Sequence, residues 1–291
     1  MFVVTLLVNP AAGGLDRATV ESLRDAWGGG RADWLNPGIA AEFPVPVMPS
    51  NRWEVWQGLQ GIGVDMAVQP VEGRRKHMLL ADMDSTMIGQ ECIDELADLA
   101  GVGAHVAAIT ARAMNGELDF EAALTERVGL LAGLPETVIA QVLAERITYT
   151  PGGKTLIATM HTHGGHAALV SGGFTAFTAA VAAYLGFDEH RANTLLAMDG
   201  RLTGQVAQPI LGRQAKVDAL DQITARLGIT PADVMAVGDG ANDLGMLHRA
   251  GAGVALHAKP SVAAQCDLRV NHGDLTALLY LQGYAVADFV G

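Results

Sequence analysis

Apolar positions keep two different rhythms on either side of residue 76. Phe2 to Val8 is an apolar-rich run of strand length, broken by Asn9-Pro10 and Gly13-Gly14. Leu15 to Trp27 has helical spacing, and Gly28 to Gly30 ends it. The Pro-punctuated stretch to Pro49 predicts loop and an edge strand, because proline cannot donate to a ladder. Trp53 to Leu59 predicts a short helix and Val64 to Val68 another strand, and Glu72 to Lys76 is a polar linker. Residues 1–76 therefore read as a small α/β unit. Beyond them come short continuous apolar runs at Met78–Ala81, Ala167–Val170, Val234–Val237, Gly253–Leu256 and Leu268–Val270. Such runs are what strands covered on both faces of a parallel sheet require. Residues 91–146 form a long helical insert between the first two. Asp199-Gly200 within Asn193–Val206 is a type I′ hairpin signal. The fold class is α/β: a Rossmann-like, doubly wound parallel sheet over 77–291 with two insertions, preceded by the small unit.

Composition narrows the function. Half of the 291 residues are apolar, which excludes a disordered or collagen-like chain. The net charge of −12 leaves no basic footprint for nucleic acid, so any phosphate-bearing substrate must meet local positive charge. Cys92 and Cys266 stand far apart without CxxC spacing, which gives no disulfide framework and fits a reducing compartment. No basic residue precedes the first apolar run, and no stretch reaches the ~18 apolar residues of a membrane span. The expectation is a soluble, cytoplasmic protein without a membrane partner.

Three polar clusters fall at the carboxyl ends of predicted strands, where open α/β sheets place ligands. Asp82-Met83-Asp84-Ser85-Thr86 follows Met78–Ala81, and carboxylates two residues apart in a strand share a face. One suits a nucleophile and the other an acid and base, although an Asp-rich strand end is also simply a common turn. Ser171-Gly172-Gly173 follows Ala167–Val170 and offers a hydroxyl and free N–H groups to an oxyanion. Gly238 to Asp243 (GDGAND) follows Val234–Val237 and supplies oxygen ligands suited to magnesium.

Together, DMDST, SGGF, a lysine and GDGAND resemble the haloacid dehalogenase superfamily of aspartyl-phosphate phosphohydrolases, and within it the phosphoserine phosphatase family. The similarity runs from about Met78 to the chain end and leaves no functional position of the family pattern substituted. The resemblance implies Asp82 as the residue that becomes phosphorylated, and Asp84 as acid and then base. It implies Ser171, Gly172 and Lys216 around the phosphoryl group. Mg²⁺ would be held by Asp82, the Asp84 carbonyl and Asp239, with Asn242 and Asp243 orienting the metal shell and Lys216. The helical insert at about 91–146 would be a cap that reads the substrate. There Phe120, Leu124, Val128 and Leu131 recur at helical spacing, and Arg127 is rotated only about 20° from Phe120. A guanidinium beside an apolar stripe either grips an anion or snorkels to water. The resemblance implies the former: Arg127 on the serine carboxylate, Glu91 on its ammonium, Met114 and Phe120 closing the apolar side.

The implied reaction is hydrolysis of O-phospho-L-serine to L-serine and phosphate, the last step of L-serine biosynthesis. The alternatives are a phosphotransferase or phosphatase acting on another small phosphate ester, or an amino-acid-sensing binding protein. By the same resemblance residues 1–76 would be an ACT-like regulatory or dimerisation domain. They are expected to pair subunits as a homodimer or to dock on the core, and to be dispensable for chemistry. His161, His163 and His166 read as a surface turn with no completed ligand set nearby. Asn9 to Gly14 reads as a turn, and Cys92 as a small packed side chain.

Overall fold

The computed structural model describes residues 1–114 and 117–291. The first unit runs β1 (Phe2–Val8), α1 (Arg17–Ala26), β2 (Asp33–Asn36), β3 (Ala40–Val45), α2 (Arg52–Gln60) and β4 (Val64–Pro70). Its antiparallel sheet has the order β2-β3-β1-β4, a split β-α-β arrangement. The Pro-punctuated stretch thus holds more than the expected loop and edge strand: β3 is a central strand despite Pro44. The missing N–H breaks no ladder bond there: the Pro44 carbonyl faces Gly30, from which it accepts at 2.9 Å, and pairing with β2 on that side ends at Glu42. Asn9 to Gly14 is a turn, closed by Ala12 and Gly13 N–H groups on the Asn9 carbonyl.

Side chains alternate across a strand, yet β1 is buried from Val3 to Val8. Val4, Leu6 and Val8 pack with Val20 of α1 and Leu59 of α2. Leu7, with Leu35, Ala40 and Ala67, joins the core of the second unit instead. One face of this sheet is therefore covered by its own helices and the other by the rest of the chain.

The second unit begins with β5 (Met78–Ala81), followed by the insertion helices α3 (Cys92–Leu99), α4 (Gly103–Met114), α5 (Phe120–Gly129) and α6 (Val138–Glu145). Then come α7 (Gly153–Thr162), β6 (His166–Phe174), α8 (Thr175–Leu185), β7 (Glu189–Asn193), β8 (Leu195–Met198), β9 (Arg201–Val206) and α9 (Arg213–Leu227). The chain closes with β10 (Val234–Gly238), α10 (Leu244–Arg249), β11 (Ala252–Leu256), α11 (Pro260–Ala263), β12 (Leu268–Val270) and α12 (Ala277–Leu281). Its six-stranded sheet, β12-β11-β10-β5-β6-β7, is parallel throughout. Met78 and Leu80 pack among residues of α9 and α10, whereas Leu79 and Ala81 pack among those of α7 and α8, so helices cover both faces. The order reverses between β5 and β10, which makes their carboxyl ends the topological switch point.

The Asp199-Gly200 hairpin joins β8 and β9, both turn residues having positive φ (51° and 74°) as a type I′ turn requires. Strand β7 carries Glu189, His190 and Arg191 and no apolar run. It is an edge strand, where charge discourages further pairing. Among the described residues no helix is long and apolar enough to cross a membrane.

Candidate active site

Strands β5, β6 and β10 end at one cavity of about 760 Å³, walled on the other side by α3 and α5. Asp82 continues β5 by donating its N–H to the Val237 carbonyl, 3.0 Å away. The chain then turns sharply through Ser85, a non-glycine residue at φ 55°, a conformation that costs on the order of 1–3 kcal/mol. The turn is held by the Ser85 hydroxyl donating to Glu91 (2.8 Å) and the Ser85 N–H donating to the Gln90 carbonyl (3.2 Å). It leaves Asp82 and Asp84 both lining the cavity.

Lys216 is 2 % exposed and lies between Asp82 Oδ1 at 2.6 Å and Asp243 Oδ1 at 2.5 Å. Burial opposes its charge, but Asp82 and then Asp243 outweigh that cost and hold the ammonium above its ordinary range. Asp82 is pushed well above the usual carboxylate range, first by burial and then by repulsion from Asp243, with Lys216 opposing. Asp239 is also raised, by burial and then by Asp243. Oxygens of Asp82, Asp239 and Asp243 lie within 4.8 Å of one another. A carboxylate surplus around one lysine is the electrostatic condition a hard cation relieves. Gly238 makes the packing possible, since a Cβ there would sit 2.4 Å from Asp243 Cγ.

The Asp84 carboxylate lies outside that trio. Its Oδ2 accepts from Ser171 Oγ at 3.0 Å and its Oδ1 from the Cys92 N–H at 2.9 Å. Ser171 Oγ in turn accepts from the Gly173 N–H at 2.8 Å. Gly172 lies under Phe120, whose ring would be 3.1 Å from an added Cβ. Helix α5 starts where Asp119 caps the Ala122 N–H at 2.7 Å, and this sets Phe120 and Arg127 on the cavity wall. Arg127 anchors its Nε on the Ala123 carbonyl at 3.2 Å, and burial lowers its pKa against the attraction of Asp94 and Glu91. Glu91 keeps an exposed edge on the cavity, yet its carboxyl is pushed up to about 7, by burial and then by Asp84.

The sequence-derived residues therefore converge. Asp82, Asp84, Glu91, Phe120, Arg127, Ser171, Gly172, Asp239 and Asn242 line the cavity, with Lys216 and Asp243 directly behind Asp82. Met114 ends α4, and its side chain lies outside the described residues. Cys92 is 1 % exposed with its thiol pKa raised by burial and then by Asp84, so it is a packed group. The histidine turn does have acidic neighbours: His161 pairs with Asp188 at 2.9 Å and His166 with Glu189 at 2.7 Å. Asp188 immediately precedes β7 and Glu189 begins it, more than 20 residues on. Among the described residues they complete no metal-compatible group.

Sequence reasoning missed Lys259, Asp94 and Thr86. Lys259 lines the cavity and attracts Asp239. It follows β11 closely, so the strand-end rule alone would have found it. Thr86 donates to Asp239 Oδ1 at 3.3 Å. Asp94 sits one helical turn after Glu91 and faces Arg127 electrostatically.

A parallel sheet with charged residues gathered at its switch point defines an α/β protein with its ligand site there, and comparison with known proteins gives its family. Residues 79–248 match the model of the haloacid dehalogenase-like hydrolases. The chain is 46% identical to the phosphoserine phosphatase of Streptomyces coelicolor, over 85% of this chain and 61% of that one. It is 47% identical to the phosphoserine phosphatase of Haemophilus influenzae, over 70% of this chain and 65% of that one. The solved structure of a probable phosphoserine phosphatase from Vibrio cholerae is 33% identical, with a TM-score of 0.79, covering 99% of this chain and 87% of that one. The chain belongs to the haloacid dehalogenase-like hydrolases, in their phosphoserine phosphatase family. It spans between three fifths and two thirds of the length of the two curated relatives.

Proposed function

We propose that this chain hydrolyses O-phospho-L-serine to L-serine and phosphate through an aspartyl phosphate on Asp82. The observation that carries the reading is one cavity with two chemistries. A carboxylate backed by buried Lys216 forms its floor, and the cationic Arg127 with the Glu91 carboxyl forms its wall. The wall suits a small zwitterion, and the floor suits a phosphoryl group. The phosphoserine phosphatase names of the relatives support the same substrate.

In the first step an Asp82 oxygen forms the bond to phosphorus and the P–O bond to serine breaks. Asp84 gives its proton to the departing serine oxygen. In the second step Asp84 takes a proton from water, the water oxygen bonds to phosphorus, and the Asp82 carboxylate is released. Ser171 and the Gly173 N–H fix Asp84 for both transfers. Lys216 holds charge beside the phosphoryl oxygens, which is where phosphoryl transfer gains most. Asp82, Asp239 and the Asp84 carbonyl would hold Mg²⁺, with Asp243 and Asn242 in support; the clustered hard oxygen donors fit that ion. When bound, it supplies further positive charge to the transferring group. The free, buried Cys92 and Cys266 suit a cytoplasmic setting.

Residues 77–291 then make up the catalytic unit, with a cap at about 91–146. Residues 1–76 are an ACT-like regulatory or dimerisation domain. The test is phosphate release from phosphoserine, phosphothreonine, phosphohomoserine and sugar phosphates, with and without magnesium. Preference for phosphoserine with magnesium supports the reading, and preference for a sugar phosphate contradicts it.

A further inference from the structure

Asn193, the last residue of β7, is 2 % exposed and carries no charge for chemistry. Its amide is nonetheless fully committed. Oδ1 accepts from the Leu211 N–H at 2.7 Å, and Nδ2 donates to the Gly172 carbonyl at 2.9 Å and the Leu211 carbonyl at 3.1 Å. The Leu211 N–H fixes which end is oxygen, so the two carbonyls must face the NH₂ group.

The two segments so joined are distant in sequence and adjacent in function. Gly172 follows Ser171, whose hydroxyl holds Asp84. Leu211 leads through Gly212 into α9, whose first turn carries Lys216. The Phe120 ring rests on both segments: an added Cβ would meet it at 3.1 Å on Gly172 and 3.4 Å on Gly212. One buried amide therefore ties the segment that carries Ser171 to the segment that leads into the Lys216 helix, behind the cavity wall.

We infer that Asn193 is a positioning residue that sets the spacing between the Ser171 loop and the Lys216 helix, and with it the slot that Phe120 closes. This rests on the proposed phosphatase reading. Asparagine is the residue the geometry demands. Aspartate keeps the acceptor but turns a carboxylate on two carbonyls, serine keeps part of the bonding, and alanine keeps none.

The experiment compares Asn193→Ser, Asn193→Ala and Asn193→Asp with the unsubstituted chain in magnesium. It measures kcat and KM on phosphoserine and p-nitrophenyl phosphate, inhibition by inorganic phosphate, and Tm. Misplaced groups lower kcat more than they raise KM. The expected loss is about 10²-fold for alanine and aspartate, less for serine, by the same factor on both substrates. Phosphate inhibition should weaken in parallel, and the preference between substrates should persist. Wild-type kcat in any folded variant overturns the inference. A loss confined to phosphoserine also overturns it, because that would place Asn193 in substrate reading. If the unsubstituted chain cleaves only the aryl phosphate, the phosphoserine reading fails while the Asn193 series is still read on that ester. If it cleaves neither, calorimetric affinity for inorganic phosphate decides, an unchanged value in the folded variants being contrary.

Discussion

Arg127 and Glu91 face the same cavity, one a guanidinium and the other a carboxyl, and each makes a prediction that a merely structural residue would not. Replacing Arg127 with alanine should cost phosphoserine roughly 2–4 kcal/mol in kcat/KM, the worth of a charged bidentate contact in a closed site. An aryl phosphate, having no carboxylate, should lose far less, and steady-state kinetics on both esters reads the difference. Glu91 has a folded-state pKa raised to about 7, so it binds its proton more tightly folded than unfolded. Its ionisation therefore removes stability as pH rises from the ordinary carboxylate range through about 7. Glu91→Gln keeps the shape without the charge. Its Tm should exceed that of the unsubstituted chain above pH 7, and the gap should close as pH falls toward 4.5. A Tm difference independent of pH would contradict this assignment.

Strand ends, not single side chains, bring the floor of the site together, and their tolerances are small. Gly238→Ala should move Asp243 away from Lys216, because the new methyl has nowhere to go. An overpacked core site of this kind costs about 1–3 kcal/mol, readable by denaturant unfolding, and phosphate release should fall with it. The same elements show what was legible beforehand. Strands β5, β6, β10 and β11 announced themselves as apolar runs because helices cover both their faces. The β8–β9 turn did so because its φ angles demand Asp-Gly. Strand β3 stayed hidden, since proline argues against a central strand and only the tertiary setting makes it tolerable. Strand β7 stayed hidden because an edge carries charge in place of hydrophobicity. The acidic clusters were legible as strand ends. Lys216 gained meaning only from the family register, and Asn193 had none until the chain was folded, because its partners are backbone groups.

The whole molecule is built more tightly than its linker suggests. Asp65 of β4 is 1 % exposed and accepts N–H groups from Asn271, His272 and Gly273, at 2.8–2.9 Å. Gln69 donates to the Leu281 carbonyl at 2.7 Å, and Asn36 to the Tyr280 hydroxyl at 2.8 Å. With Leu7, Ala40 and Ala67 in the shared core, residues 1–76 pack against the rest of the chain, which leaves pairing and serine binding open beside that contact. Asp65→Ala should cost about 2–4 kcal/mol by leaving three N–H groups without their acceptor. The kcat of the folded fraction should hold, since no residue of the cavity belongs to this unit. A chain starting near Arg75 would uncover the Tyr280 side of the core. Light scattering should then show aggregation, and the fraction that stays soluble should still release phosphate from phosphoserine.

The aspartyl phosphate at residue 82 is the claim on which the rest depends. Phosphoserine should be mixed with the magnesium-loaded chain, quenched within one turnover, reduced with borohydride, and mapped by mass spectrometry. Borohydride converts an acyl phosphate to an alcohol, so residue 82 should appear as homoserine, and Asp82→Asn should show neither that product nor phosphate release. Phosphate release by Asp82→Asn, or reduction at any other carboxylate, would contradict the account.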